Sequence, residues 1–460
     1  MPKKHGMDVV DVARNQVPPQ VSRAAPGSST ARPKQALRAS VLVPVVLVLL
    51  AGGIRIWGLS SPPQTYWDES YYVPDAYDYL GGGYLLGHPD DPSYKLTGEI
   101  TWVHPPLGKW MIAAGVGPLG LRPLGWRLPS ALFGTAAVLL VYLLALALWG
   151  SVWWAGLAGL LLCLDGLHIV QSRMATLDVF LATFVLAGVY LMVLDRKASR
   201  RRAESGRQPS TFVERTFGTG YRLGAGLMLG AAVATKWSGL FALVFVAAVC
   251  VQAIPRDGGR LRTIVASFVV VPLAVYLASY LVWFGQNGVD LARFAALQWR
   301  MLLHQLHHGT AQSENSSPLS WPFLTHPIRY YPPPGPRVDV GGGEIWLIGN
   351  PVVWWGFLAA VPMLAAKAIR RRWKEIVILG AYLALFVPWM FLGRTQFLFY
   401  MLPAVPFMCL GVVAGLRALP HRVHLRSATA FATAAALAAS AYLPVWLGLS
   451  VGWFRLPLLS

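Results

Sequence analysis

The chain has 460 residues, of which 55% are hydrophobic and 13% charged, and a mean hydropathy of +0.50, a balance too apolar for a soluble globular protein of this length. Its formal net charge of +19 would suggest nucleic acid as the partner of a soluble chain, but the charge is segregated along the sequence in a way that removes that reading. Continuous apolar runs such as 41–53 and 175–194 exclude the alternating pattern of a membrane β-barrel and indicate bilayer-crossing helices of about 20 residues.

The first 40 residues carry Lys3, Lys4, Arg14, Arg23, Arg32, Lys34 and Arg38 and are expected to form a disordered basic cytoplasmic tail. No small-residue cleavage pattern follows, so the next apolar segment is expected to be a retained span. Eleven spans are predicted, at 41–58, 128–149, 153–171, 175–194, 222–236, 238–254, 263–284, 346–366, 376–393, 397–416 and 427–449. They make residues 41–460 a single transmembrane domain with the N-terminus cytoplasmic and the C-terminus extracytoplasmic. The tail and the four expected inner loops hold 26 of the 39 Lys and Arg residues and 7 of the 20 carboxylates, so the inner face carries the whole excess of positive charge. Anionic lipid headgroups, rather than nucleic acid, then face that charge. The fifth and sixth spans could instead be one helix, which would invert everything after them and put the basic loops outside. Cys163, Cys250 and Cys409 lie in apolar segments and read as packing residues.

Two outer loops, 59–127 and 285–345, are long and rich in aromatic, Pro, Gly, His and acidic residues, so the chemistry is expected there. The first opens with Tyr66-Trp67-Asp68-Glu69-Ser70-Tyr71-Tyr72. Adjacent carboxylates at a membrane boundary are costly, and Asp68 is placed to take a proton from an attacking hydroxyl; a solvated interfacial loop is the plainer reading. The same loop closes with HPPLGKW at 104–110, where two prolines stiffen the backbone that presents His104 and Lys109. Arg127, Arg173, Asp178 and Lys236 fall at outer ends of spans, where ionisable groups pair with one another or line a polar cavity. Arg394, six residues before Tyr400, is suited to gripping a phosphate. His304, His307 and His308 share a helical stretch but lack the following Glu of a zinc-protease motif, so an amphipathic surface helix is expected over 297–309 rather than a metal site.

Together these segments resemble the protein O-mannosyltransferases, glycosyltransferase family 39 with a GT-C fold, in their actinobacterial form. The resemblance is carried by Asp68-Glu69, HPPLGKW at 104–110, GWRLPSALFG at 125–134, LDGLHIVQSRMATLDVFL at 164–181, TKWSGLF at 235–241, SPLSWPFLTHPIRYY at 317–331, GNPVVWW at 349–355 and RTQFLFYMLPAVPF at 394–407. It implies an all-α polytopic membrane enzyme of about eleven helices in the plasma membrane. The implied reaction is inverting, metal-independent transfer of mannose from polyprenyl-phosphate mannose to Ser or Thr hydroxyls of exported proteins on the extracytoplasmic face. Asp68 and Glu69 are the implied catalytic pair. Arg127 matches an arginine important in the family, and Arg394, Lys109, Arg173 and Lys236 join it as expected donor-phosphate ligands, with His104, Asp178 and Tyr400 as further site candidates. No cofactor is expected, with a divalent cation left open, and the lipid bilayer is the only other partner. Residues 309–317 depart from the family's His- and Tyr-containing pattern, and neither outer loop has room for the large β-trefoil domain of eukaryotic members. A same-fold transferase using another sugar or a lipid or glycan acceptor is the alternative; a polyprenyl-lipid transporter is a second, against which stands the gathering of ionisable residues at one face.

Overall fold

The computed structural model describes residues 31–81, 103–252, 258–307, 314–332, 343–449 and 458, with the side chains of 31–38, 258–260 and 307 left aside. The architecture is helical, with one two-stranded sheet. Among the described residues, eight helical segments are long and apolar enough to cross a membrane, and two shorter apolar helices, Val152–Cys163 and Gly239–Gln252, accompany them. Residues 1–30 of the expected tail lie outside the described residues. The first helix, Ala31–Ile56, begins ten residues before the expected span.

Proline and glycine placement explains several helix boundaries. The helix Pro123–Trp149 has Pro at its N-terminus, where the missing N–H is harmless, and ends at Gly150 in the left-handed region (φ 68°). The expected third span is broken: Val152–Cys163 stops, and Asp165 caps a short helix, Gly166–Gln171, by accepting from the backbone N–H of His168. Two further donors, the Asn350 N–H (3.0 Å) and the Trp354 indole (2.8 Å), converge on the same carboxylate. This buried group thereby joins two distant parts of the chain.

Spans five and six are separate helices, Gly220–Thr235 and Gly239–Gln252, because Lys236 leaves the helical region (φ −157°, ψ 135°). The long helix covering 261–279 contains a π-turn at Ala266–Val270. Pro272 follows it; lacking an N–H, it cannot complete the regular ladder there. The expected eighth span, 346–366, is displaced to Pro351–Ile369, because residues Ile345–Leu347 form strand β2 and pair antiparallel with β1, Ile328–Tyr331. The expected tenth span starts with a 3-10 segment, Leu398–Ala404, before the α-helix Val405–Ala418.

Burial orders these helices from centre to rim. In Leu398–Ala418 and Leu177–Ser205, 94% and 78% of the apolar window is buried, against 17% for Ala39–Ile56, so the first two are central and the last presents its apolar surface outward. Close approach between neighbouring helices depends on small residues: a Cβ on Gly226 would lie 2.0 Å from the Ser267 carbonyl oxygen. The two long loops contain their own helices, Glu69–Asp78, Leu107–Leu119 and the amphipathic Leu291–His307. Leu297 and Met301 of the last pack on Tyr280 and Trp283, while Leu291 and Trp299 stay exposed. His308 lies outside the described residues.

Candidate active site

Arg127, in the second turn of its helix, is fully buried and organises the segment that carries the acidic pair. Its Nε and Nη2 donate to the two Glu69 carboxylate oxygens, both at 2.8 Å. Its Nη1 donates to the carbonyls of Leu59 (3.1 Å) and Pro62 (2.7 Å), and Nη2 to that of Gln64 (3.0 Å). These five contacts use the whole guanidinium fork, so in this arrangement Arg127 offers no hydrogen to a donor phosphate. Glu69 is equally committed: besides Arg127 it accepts from the Ala175 N–H (2.9 Å) and is buried. The expected roles of these two residues, phosphate ligand and second catalytic acid, therefore give way to a joint structural one. Arg173 is also placed differently from expectation. Its Nη1 donates to the carbonyls of Ile54, Arg55 and Trp57, satisfying the end of the first helix rather than facing a phosphate.

The rivet leaves Asp68 to the cleft. Trp67 holds a positive φ of 49°, a conformation a bulky side chain adopts only when its surroundings impose it. Its indole donates to the Arg329 carbonyl (3.3 Å) and its ring lies 4.8 Å from Tyr330. Asp68 follows as the N-terminal cap residue of Glu69–Asp78, but its carboxylate makes no capping bond and, among the described residues, no hydrogen bond or ion pair. Burial raises its pKa to about 6; the nearby Lys236 pulls it down and Asp178 pushes it up.

Around this carboxylate the other candidates assemble in pairs. The Lys236 ammonium bridges both oxygens of Asp178 at 2.9 and 3.0 Å and sits 4.7 Å above the Tyr400 ring. Lys109 pairs with Asp75 on the helix Glu69–Asp78. His104 is buried with its ring 6.3 Å from Tyr72. Its pKa is pushed well down by burial and then by Lys236, Lys109 and Arg394, which keeps it a neutral imidazole at neutral pH. Arg394 is part-exposed; it donates to the Tyr400 hydroxyl (2.9 Å) and to the Gln305 side-chain oxygen. Gln305 in turn donates to the Val103 carbonyl (2.9 Å), so the amphipathic helix is tied both to the HPPLGKW loop and to Arg394.

The two long loops, 59–127 and 285–345, thus build one cleft around Asp68. Gln64 meets the Tyr331 hydroxyl, and Gln171 donates to that of Tyr330 at 2.7 Å. Asp75, Gln305 and Tyr330 were not expected. None belongs to a charged motif, although IRYY at 328–331 alternates aromatic and polar residues at the end of a conspicuous segment. Among the described residues no three His, Cys, Asp or Glu side chains form a group that could hold a metal ion.

Similarity to known proteins bears on the family. The profile of dolichyl-phosphate-mannose-protein mannosyltransferases matches residues 45–286, and that of the C-terminal four-TMM region of protein-O-mannosyltransferase matches 290–456. The polyprenol-phosphate-mannose–protein mannosyltransferase of Mycolicibacterium smegmatis is 32% identical over 422 residues, 80% of each chain. Its counterpart in Mycobacterium tuberculosis is 31% identical over 431 residues, 81% of this chain and 80% of that one. Among solved structures, the Saccharomyces cerevisiae Pmt1-Pmt2 complex bound to the sugar donor aligns with TM-score 0.73 at 14% identity, covering 89% of this chain and 90% of that one. ArnT from Cupriavidus metallidurans bound to undecaprenyl phosphate aligns with TM-score 0.57 at 16% identity, covering 90% and 77%. These neighbours share the GT-C fold, and by its matched profiles and relatives the chain belongs to the protein O-mannosyltransferase family and is a membrane glycosyltransferase.

Proposed function

We propose that the enzyme transfers mannose from polyprenyl-phosphate mannose to Ser or Thr hydroxyls of exported proteins at the extracytoplasmic face, with inversion and with Asp68 as general base. The observation that carries the reading is that, among the described residues of the cleft, Asp68 is the carboxylate without a bonded partner. Glu69, Asp75 and Asp178 each already hold a cation, whereas Asp68 is held by none and has a pKa close to that of a base working near neutrality. As the hydroxyl attacks the anomeric carbon, its proton passes to Asp68 and the polyprenyl phosphate leaves with the bonding electron pair.

Cations that gain interaction as that phosphate becomes charged accelerate the step. Arg394 is the first candidate, being part-exposed beside Tyr400, with Lys236 and then Lys109 behind it, both already paired with carboxylates. The same pairing supports a metal-independent mechanism, because each neighbouring carboxylate already has its charge met by a lysine or arginine.

Purified enzyme in proteoliposomes, given radiolabelled polyprenyl-phosphate mannose and a Ser/Thr-rich peptide, is expected to label the peptide and to keep doing so in EDTA. Transfer to extracted glycan or lipid but never to peptide would replace the acceptor assignment, and loss in EDTA restored by a divalent cation would replace the metal-independent step.

A further inference from the structure

The helix Leu177–Ser205 is unbroken for 29 residues and carries Asp178 at one end and Arg196 toward the other. At about 1.5 Å per residue their separation along the axis is about 27 Å, close to the roughly 30 Å of a hydrocarbon core. Arg196 therefore stands at the membrane boundary opposite the cleft. Four helix ends lie there, the starts of Val152–Cys163 and Trp373–Phe386 and the ends of Pro123–Trp149 and Val405–Ala418. The Arg196 guanidinium lies 4.9 Å over the Trp373 ring, and its Nε is buried without a hydrogen bond. Lys374 lies within electrostatic reach of Arg417, Lys197 and Arg372. Arg417 lies over Trp149 (5.3 Å) and Trp154 (5.1 Å).

Nearby acids match these cations only in part. Arg196, Lys197, Arg372, Lys374 and Arg417 form no ion pair among the described residues. Asp195 is taken by Arg222 (3.1 Å) and Thr219 (2.7 Å), and Glu375 is shared between Lys374 and Lys367, the latter at 4.0 Å. Like charges gathered in this way repel one another, and an anion bound among them removes the cost. The surroundings indicate which anion. Three tryptophans ring the cluster as in an interfacial belt, and Trp153, Ile369 and Leu419 beside it are exposed apolar residues, a surface for acyl chains rather than for a soluble ion.

We propose that this cluster is a binding site for the phosphate of an anionic phospholipid, with the headgroup between Lys374 and Arg417, beside the Arg196–Trp373 stack, and the acyl chains along the neighbouring apolar residues. The site is distinct from the cleft and does not depend on the reaction assigned to it.

The full chain in detergent, titrated with phosphatidylglycerol or phosphatidylcholine and read by native mass spectrometry, tests the assignment. The wild type is expected to retain phosphatidylglycerol preferentially. Lys374→Gln with Arg417→Gln is expected to weaken that retention by about fivefold for each cation removed, while Arg207→Gln with Arg215→Gln, taking the same charge from the exposed part of the neighbouring loop, leaves it unchanged. If the double variant does not purify as a single species, Lys374→Gln alone is judged by the same criterion. Equal retention of the two lipids, equal loss in the loop variant, or displacement of the lipid by millimolar inorganic phosphate would each overturn the proposal.

Discussion

Asp68 combines partial burial with the absence of a bonded partner, and both its proposed role as base and its cost in stability follow from that combination. With a pKa near 6, the ionised base predominates above that pH; below it, turnover is expected to fall about tenfold per unit, a slope to be measured from pH 4.5 to 8 under saturating donor. Asp68→Asn removes the base and is expected to lower transfer by about 10²–10⁴-fold. The same substitution should raise the melting temperature. A carboxyl whose folded pKa lies above its unfolded value loses stability as pH rises between the two, and at neutral pH the amide avoids that loss. Greater stability with loss of turnover would mark a catalytic group; parallel loss of both would mark a structural one. Gln305 permits a complementary measurement, since Gln305→Glu places a carboxylate against Arg394 and so neutralises it. The donor KM is expected to rise by roughly tenfold, with Gln305→Asn giving a smaller effect.

Among the elements, the segment 59–69 depends on one side chain from the helix Pro123–Trp149. Arg127→Ala would leave Glu69 buried and uncompensated, costing about 3–5 kcal/mol. The expected result is loss of folded protein rather than a rise in donor KM alone. Arg127→Met with Glu69→Gln is expected to recover part of the stability, as a double-mutant cycle in thermal unfolding would reveal. The limits of sequence reading are visible at this arginine. Its importance was legible from GWRLPSALFG, but its direction was not, because a phosphate and a ring of carbonyls demand the same fork of donors. Helix positions were legible from apolar runs, and the break at Lys236 from the basic loops that follow, which a single merged helix would have put outside. The displacement of the eighth span to Pro351 was not, because IWL at 345–347 is as apolar as the helix after it, and only pairing with Ile328–Tyr331 makes it a strand. Asp68, His104, Lys236, Arg394 and Tyr400 were all named beforehand; what distant pairing concealed was which charges were already spent.

For the whole molecule, the expected orientation puts the cleft on the outer face and the basic loops inside. Cysteine introduced at exposed Thr325 or at exposed Ser205, with the three buried native cysteines replaced, separates the alternatives. A membrane-impermeant thiol reagent on intact cells is expected to label Thr325→Cys and not Ser205→Cys; the reverse pattern would invert the topology. The contacts around Asp68 also set an order of events during synthesis. Glu69 must wait for Arg127, 58 residues later, and for Ala175, 106 residues later; Trp67 must wait for Arg329, 262 residues later, and Gln64 for Tyr331, 267 residues later. At ribosomal rates that last interval is on the order of tens of seconds. The carboxylate made among the first residues is therefore a late-maturing one, and a chain released before about residue 331 would insert its early helices yet hold no organised base.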